Sequence, residues 1–259
     1  MALDLDGTIL DLRLNLDPGD VAALGRIIRA GVIVIACTGR PFPGALPWVE
    51  RLGLDGPIVC YQGAEVRTPD GTKILDHGVK HDLAVEVIHF ARERDLHVQA
   101  YRDDKLIVER DRPEAHEYSN HAGMEIHVVD DLDTAMGPTT PKLVIVSTTQ
   151  KLDALLPEVR SRWAGRLNAA TSMPTYLEFT SVESDKASAL RFVCARLGVP
   201  QEESVAVGDG RNDASMIAWA GLGVAIDGSP PEVQAAADRT IPGPGHGGIK
   251  QLADLLVGS

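Results

Sequence analysis

The sequence predicts an α/β fold, a parallel-sheet core interrupted by an inserted α+β module. Three observations carry that prediction. Short β-branched runs alternate with helical patterns at the start of the chain, helices mixed with hairpins replace them from about Thr72, and the first pattern returns from Asp185. Strand alternating with helix is the grammar of a parallel sheet with right-handed crossovers, and hairpins belong to an α+β unit. A chain of 259 residues also exceeds the usual size of one domain. Residues 1–78 and 182–259 are assigned to a discontinuous core and 79–181 to the module, with crossings near Asp76–Lys80 and Thr180–Asp185.

The opening "MALDLDGTIL" reads as a strand from Ala2 to Leu5, ended by Gly7 and Thr8. "DPGDVAALGRIIRAG" follows as a helix with Pro18 near its start and Gly31 at its end. "VIVIACTGRP" is a continuous apolar run stopped by Gly39 and Pro41, which suits a strand buried on both faces. "ALPWVERLGL" reads as a helix and "PIVCYQGAEV" as a third strand.

In the module, "HDLAVEVIHFARERD" reads as a helix and "LHVQAYRDDKLIVER" as a hairpin turning at Asp103-Asp104. "RPEAHEYSNHAG" is helical, "MEIHVVD" and "PKLVIVSTT" are strands, "QKLDALLPEVRSRWAG" is a helix, and two strands flank Met173-Pro174. The core resumes with the helix "DKASALRFVCARLGV", the strand "SVAVGDG", a helix opening at "RNDASMIAWAG", the segments "LGVAIDG" and "PPEVQAAAD", and a last helix near "GGIKQLADLLVG".

Composition narrows the function. Hydrophobic residues make up 44% and aromatics 4%, so the core is built from Ala, Val, Leu and Ile. A net charge of −12 argues against nucleic acid and anionic membranes as partners, yet one local cation suffices to invert the field of a site. Cys37, Cys60 and Cys194 stand in apolar contexts without metal-like spacing, as reduced cysteines packed as small hydrophobes. No stretch approaches the roughly 20 apolar residues of a membrane span, and Asp4 comes too early for a signal peptide. A cytoplasmic protein, a monomer or weak dimer, is expected.

The chemistry gathers at the carboxyl ends of the core strands, the edge where open α/β sheets bind ligands. Asp4 and Asp6 lie there on the first strand, Thr38-Gly39-Arg40 on the second, and Asp209 and Asp213 after a later one, with Lys186 opening the preceding helix. Carboxylates brought together raise one another's pKa unless a cation meets them, and oxygen ligands without His or Cys suit Mg²⁺. Such an ion commonly adds a substrate phosphate oxygen, and a carboxylate beside that phosphate is a competent nucleophile. A second carboxylate two residues on can serve as acid and then base.

Asp4-Leu5-Asp6-Gly7-Thr8, Thr38-Gly39-Arg40-Pro41, Lys186 and Gly208-Asp209-Gly210-Arg211-Asn212-Asp213, in that order and spacing, resemble the haloacid dehalogenase-like hydrolases. "AGLGVAIDGSPPEVQAAAD" is similar to the tail of their Cof-like phosphatase branch. The resemblance implies a Rossmann-like core with an inserted α+β cap. It implies Asp4 as nucleophile and Mg²⁺ ligand, Asp6 as acid/base with its carbonyl on the metal, and Lys186 as partner of the phosphoryl charge and of Asp4. It implies Thr38, Gly39 and Asn212 on the phosphoryl oxygens, Asp209 on the metal and Asp213 supporting the metal site. Ala187 and Gln62 depart from the commoner Gly and Asn, and Met1 leaves the first strand little lead-in.

Simpler readings compete. Asp-x-Asp after a strand is ordinary turn chemistry, Thr38-Gly39 alone ends a strand, and a Lys opening a helix is usually solvated. Asp213 also suits the early turn of its helix through the dipole. Arg40 reaches either substrate or a carboxylate of the cap. His116 and His121 fall on one surface helix, which explains them better than zinc does, and "GPGHGG" lacks the Lys-Ser/Thr of a P-loop and reads as a turn. The expected function is a Mg²⁺-dependent phosphatase for small phosphorylated metabolites, sugar phosphates foremost. A phosphomutase on the same catalytic set is the alternative, and a non-catalytic regulatory protein is a more distant one.

Overall fold

The computed structural model describes residues 1–258, apart from the side chains at positions 121, 122 and 172. It separates into two compact units: Met1–Arg40, Ala45–Ile74 and Asp185–Ser259 in the first, Pro41–Gly44 and Leu75–Ser184 in the second.

The first unit is built on a five-stranded parallel sheet in the order Arg239–Ile241, Leu222–Ile226, Val205–Gly208, Ala2–Leu3, Ile35–Ala36. Ala2 and Leu3 pair with Ala206 and Val207 on one side and with Ile35 and Ala36 on the other. All six are buried, as a central parallel strand covered on both faces requires. The regular strands are shorter than the apolar runs suggested: the first ends at Leu3, and Asp4 continues only through its amide, bonded to Val207 O at 3.0 Å. The stretch read as one third strand is a hairpin. Ile58–Cys60 reverses at Tyr61–Gly63 and returns antiparallel as Glu65–Arg67. Tyr61, Gln62 and Gly63 all have positive φ, which no strand tolerates.

Local chemistry sets the helix ends. Asp17 caps the helix Pro18–Arg29 by accepting from Gly19 N at 2.8 Å, and Asp185 caps Lys186–Leu197 by accepting from Ala187 N at 2.8 Å. The Gly-rich loop before the last helix, Gly248–Val257, is a turn held by Gly245 N donating to the buried Asp20 carboxylate at 2.7 Å.

The second unit carries a six-stranded sheet in the order Leu167–Met173, Tyr176–Ser181, Leu143–Val146, His97–Arg102, Lys105–Val108, Ile126–Val128. Its hairpin turns at Asp103 and Asp104, both left-handed, as a two-residue connection demands. One sheet face, with Val98, Ala100, Leu143, Ile145, Leu177 and Phe179, packs against helices His81–Arg92 and Thr149–Arg162 around Trp163. The opposite face holds Gln99, Tyr101 and the buried ion pair Lys142–Glu178 at 2.9 Å. His116 lies on the helix Pro113–Ala122 against Asp111 at 2.5 Å, while the His121 side chain lies outside the described residues. Among the described residues no helix is long and apolar enough to cross a membrane.

Candidate active site

The first strand delivers Asp4, and the helix after Asp185 delivers Lys186, to one buried point. Lys186 Nζ donates to Asp4 Oδ1 at 2.7 Å and to Asp213 Oδ1 at 2.5 Å, and all three side chains are almost fully buried. Residues 182 positions apart in the chain meet here because Ala2–Leu3 and Val205–Gly208 are neighbouring strands.

Asp213 spends its other oxygen on backbone amides, accepting from Asp209 N at 3.1 Å and Gly210 N at 2.9 Å. That pins the loop after Val205–Gly208 and presents Asp209. Thr8 Oγ1 donates to Asp209 Oδ1 at 2.9 Å, tying this loop to the turn after the first strand. Two glycines are needed for so close an approach. A Cβ on Gly7, whose φ is +85°, would lie 2.3 Å from Asp209 Oδ2, and one on Gly208 would lie 2.4 Å from the Asp213 side chain.

Carboxylate oxygens of Asp4, Asp209 and Asp213 all fall within 4.8 Å of one another. One ammonium against three carboxylates leaves a surplus of negative charge. Burial pushes the Asp4 carboxyl up to about 8, and the charge of Asp213 adds to the rise, against the pull of Lys186. Burial alone would lower the Lys186 ammonium, but Asp213 and Asp4 more than offset it and hold its pKa above the ordinary value. Lys186 therefore keeps its proton, and the carboxylate in excess carries the strain. Asp209 is also raised, by burial, with the Thr8 hydroxyl working the other way.

A hard divalent cation fits this donor set. The atoms are all oxygen, the surplus charge is negative, and Asp4 and Asp209 each keep an oxygen outside the bonds to Lys186 and Thr8. Asp213 keeps none, since Lys186 and two amides use both of its oxygens, so it supports the site from behind.

Asp6 lies elsewhere. Sequence reasoning set it beside Asp4 on one buried strand, needing a buried cation. Instead its side chain is 45% exposed, against 7% for Asp4, and the Arg40 fork meets it with Nε at 2.7 Å and Nη2 at 2.5 Å. The strand ends before it, and the left-handed Gly7 turns the chain away, so the carboxylate stays hydrated and needs no buried cation. Arg40 therefore pairs with Asp6 of the first unit rather than with a carboxylate of the cap.

Thr38 is buried, and its hydroxyl accepts from Arg40 N at 3.1 Å with the hydroxyl hydrogen left to donate. Gly39 backs onto the Gln62 amide, and Gln62 Oε1 accepts from Asn212 Nδ2 at 2.5 Å. The structure thus joins Asp4, Lys186, Asp209 and Asp213 in one cluster, Asp6 with Arg40 in a second, and Gly39 and Asn212 through Gln62. Thr8 had no role assigned from sequence, although it sits within the quoted first motif, a usable signal. Gln62 was singled out as a departure from the commoner Asn, but nothing local marked it as a partner of Asn212, 150 residues away. Cys37 is free and its thiol is pushed up to about 12 by burial, so it contributes packing rather than nucleophilicity.

Comparison with known proteins identifies the family. A family model described as haloacid dehalogenase-like hydrolase matches residues 1–252. The chain is 26% identical over 234 residues to the HMP-PP phosphatase of Serratia proteamaculans, covering 90% of this chain and 85% of that protein. It is 27% identical over 259 residues to the pyridoxal phosphate phosphatase YbhA of Escherichia coli, covering 93% and 92%. Among solved structures, TM0651 from Thermotoga maritima superposes with a TM-score of 0.89 at 29% identity, covering 98% of this chain and 96% of that one. The core architecture, the motif set and these matches agree: the chain belongs to the haloacid dehalogenase-like hydrolases, in their Cof-like phosphatase branch.

Proposed function

We propose that this chain is a Mg²⁺-dependent phosphatase of small phosphorylated metabolites, sugar phosphates foremost, working through an aspartyl-phosphate on Asp4. The observation that carries the reading is the buried Asp4, bonded through one oxygen to Lys186 and surrounded by more carboxylate than Lys186 can neutralise. Relatives named for HMP-PP and pyridoxal phosphate support a small phosphorylated substrate. The net charge of −12 fits an enzyme of the cytoplasm that engages neither nucleic acid nor anionic membranes.

Asp4, Asp209 and the Asp6 carbonyl would hold Mg²⁺, which when bound neutralises phosphoryl charge and keeps Asp4 ionised. Asp4 attacks phosphorus through one of its carboxylate oxygens. The bond from phosphorus to the leaving oxygen breaks, and that oxygen takes a proton from Asp6. Water then attacks the phosphorus, Asp6 takes its proton, and the bond to Asp4 breaks to release inorganic phosphate and the free carboxylate. Lys186 offsets the charge that builds on the phosphoryl oxygens, while the Thr38 hydroxyl, the Gly39 amide and Asn212 donate to them.

The test is phosphate release from a panel of sugar, polyol, nucleotide and coenzyme phosphates, with Mg²⁺ and with chelator. Turnover that chelator abolishes and Asp4→Asn removes supports the reading. Turnover retained by Asp4→Asn sinks the mechanism, and no turnover across the panel sinks the substrate class.

A further inference from the structure

The Arg40 guanidinium is held on several sides. It grips both oxygens of Asp6 with Nε and Nη2 and lies over the Trp48 ring, its carbon 5.9 Å from the ring centroid. Its backbone is fixed as firmly: Arg40 N donates to Thr38 Oγ1 at 3.1 Å, and Arg40 O accepts from Tyr61 N at 3.0 Å. Arg40 therefore belongs to the segment that carries Thr38 and Gly39, and it reaches from there to an exposed carboxylate on the turn after the first strand.

An exposed carboxylate on a turn has several rotamers open to it, and a two-point ion pair with a planar fork selects one of them. A proton-transfer group misplaced by an ångström loses most of its effect. We infer that Arg40 is the positioning residue for Asp6: it ties the acid/base to the phosphate-holding segment, so that the proton donor and the phosphoryl group keep one spacing. This rests on the phosphatase reading of Asp6. It takes Arg40 away from direct substrate binding, one of the two roles that the sequence left open for it.

The experiment is a double-mutant cycle on the full chain with Arg40→Ala and Asp6→Asn, reading kcat/KM for phenyl phosphate and 4-nitrophenyl phosphate. These esters are similar in shape and differ in how much their leaving oxygen needs a proton. kcat/KM reports the steps up to transfer onto Asp4. Arg40→Ala should lower kcat/KM for phenyl phosphate by roughly 10²-fold, as loss of a placed general acid does, and by much less for 4-nitrophenyl phosphate. In the Asp6→Asn background the same change should add nothing.

A fall that is equal for the two esters and persists in the Asp6→Asn background would show that Arg40 binds substrate itself, and overturns the assignment. No fall overturns it as well. If Arg40→Ala fails to fold, Arg40→Lys carries the cycle, because it keeps the charge and loses the fork. A native protein inactive on both esters and across the metabolite panel would instead sink the phosphatase reading, which a normal native activity with an additive cycle would leave intact.

Discussion

Two buried lysines in this molecule make opposite uses of the same chemistry. In the first unit Lys186 faces two carboxylates within 2.7 Å, with Asp209 close by, and the charges do not balance. In the second unit Lys142 faces Glu178 at 2.9 Å, with the Tyr101 and Tyr118 rings about it and the two hydroxyls bonded at 2.6 Å. Burial alone would lower the Lys142 ammonium as it would that of Lys186, but Glu178 outweighs it, and Lys142 stays charged with its charge matched. A balanced buried pair is closed, and its removal is felt as lost stability. An unbalanced one retains an affinity for something cationic, and its removal is felt as lost function.

The largest expected effect breaks that comparison at its functional end. Asp4→Asn should lower phosphate release by about 10⁴-fold or more, as removal of a nucleophile does. It should also leave the melting temperature of the metal-free protein nearly unchanged below about pH 8, where the Asp4 carboxyl holds its proton, and raise it above that pH, where the substitution deletes a buried charge. A variant that unfolds would mean that Asp4 is structural.

Next comes the opposite lesion. Glu178→Ala strands the buried Lys142 ammonium, and denaturant titration should show a loss of about 3–5 kcal/mol. The rise in melting temperature on adding Mg²⁺ should survive in this variant. A stability loss below about 1 kcal/mol would show that the pair is no more than a surface-type bridge.

Mg²⁺ itself should stabilise the native protein by about 2.7 kcal/mol at a hundred times its dissociation constant, and Asp209→Asn should abolish most of that. The pH dependence goes with it. The folded Asp4 carboxyl, pushed up to about 8 from an ordinary 3.8, binds a proton that the unfolded chain has already released. In chelator, stability should therefore fall as pH rises from about 4 to about 8. Mg²⁺ should flatten this slope, as should Asp4→Asn. A melting temperature in chelator that climbs through that window would contradict the raised carboxyl.

The smallest effect concerns Thr8. Its hydroxyl orients Asp209, so Thr8→Val should weaken the half-saturating Mg²⁺ concentration by about tenfold while leaving kcat at saturating Mg²⁺ nearly unchanged. Equal half-saturation in both proteins would show that Asp209 needs no such brace.

Much of the site was legible in the sequence because its residues are carried in short motifs. Asp4, Lys186, Asp209 and Asp213 sit at strand ends or at a helix start, and the order of strands in a parallel sheet sends those ends to one edge. The hairpin at Tyr61–Gly63 was misread as strand because its apolar, β-branched lead-in gives no warning of three consecutive left-handed residues. Asp6 was set at the end of a buried strand because the apolar pattern runs on to Leu5, whereas the regular strand stops at Leu3 and leaves Asp6 on a turn.

Side-chain type and spacing along the chain determined the fold class and the acidic oxygen chemistry of this protein, because propensity and hydrophobic pattern act over a few residues at a time. Only the tertiary structure decided how each charge is met: Asp6 by Arg40, Asp4 by Lys186, and Asp213 by Lys186 and two amides. Those pairings span 27 to 182 positions of chain wherever a Lys or Arg is involved. They depend on which oxygen faces which donor at distances of about 3 Å, a scale at which local sequence carries no information.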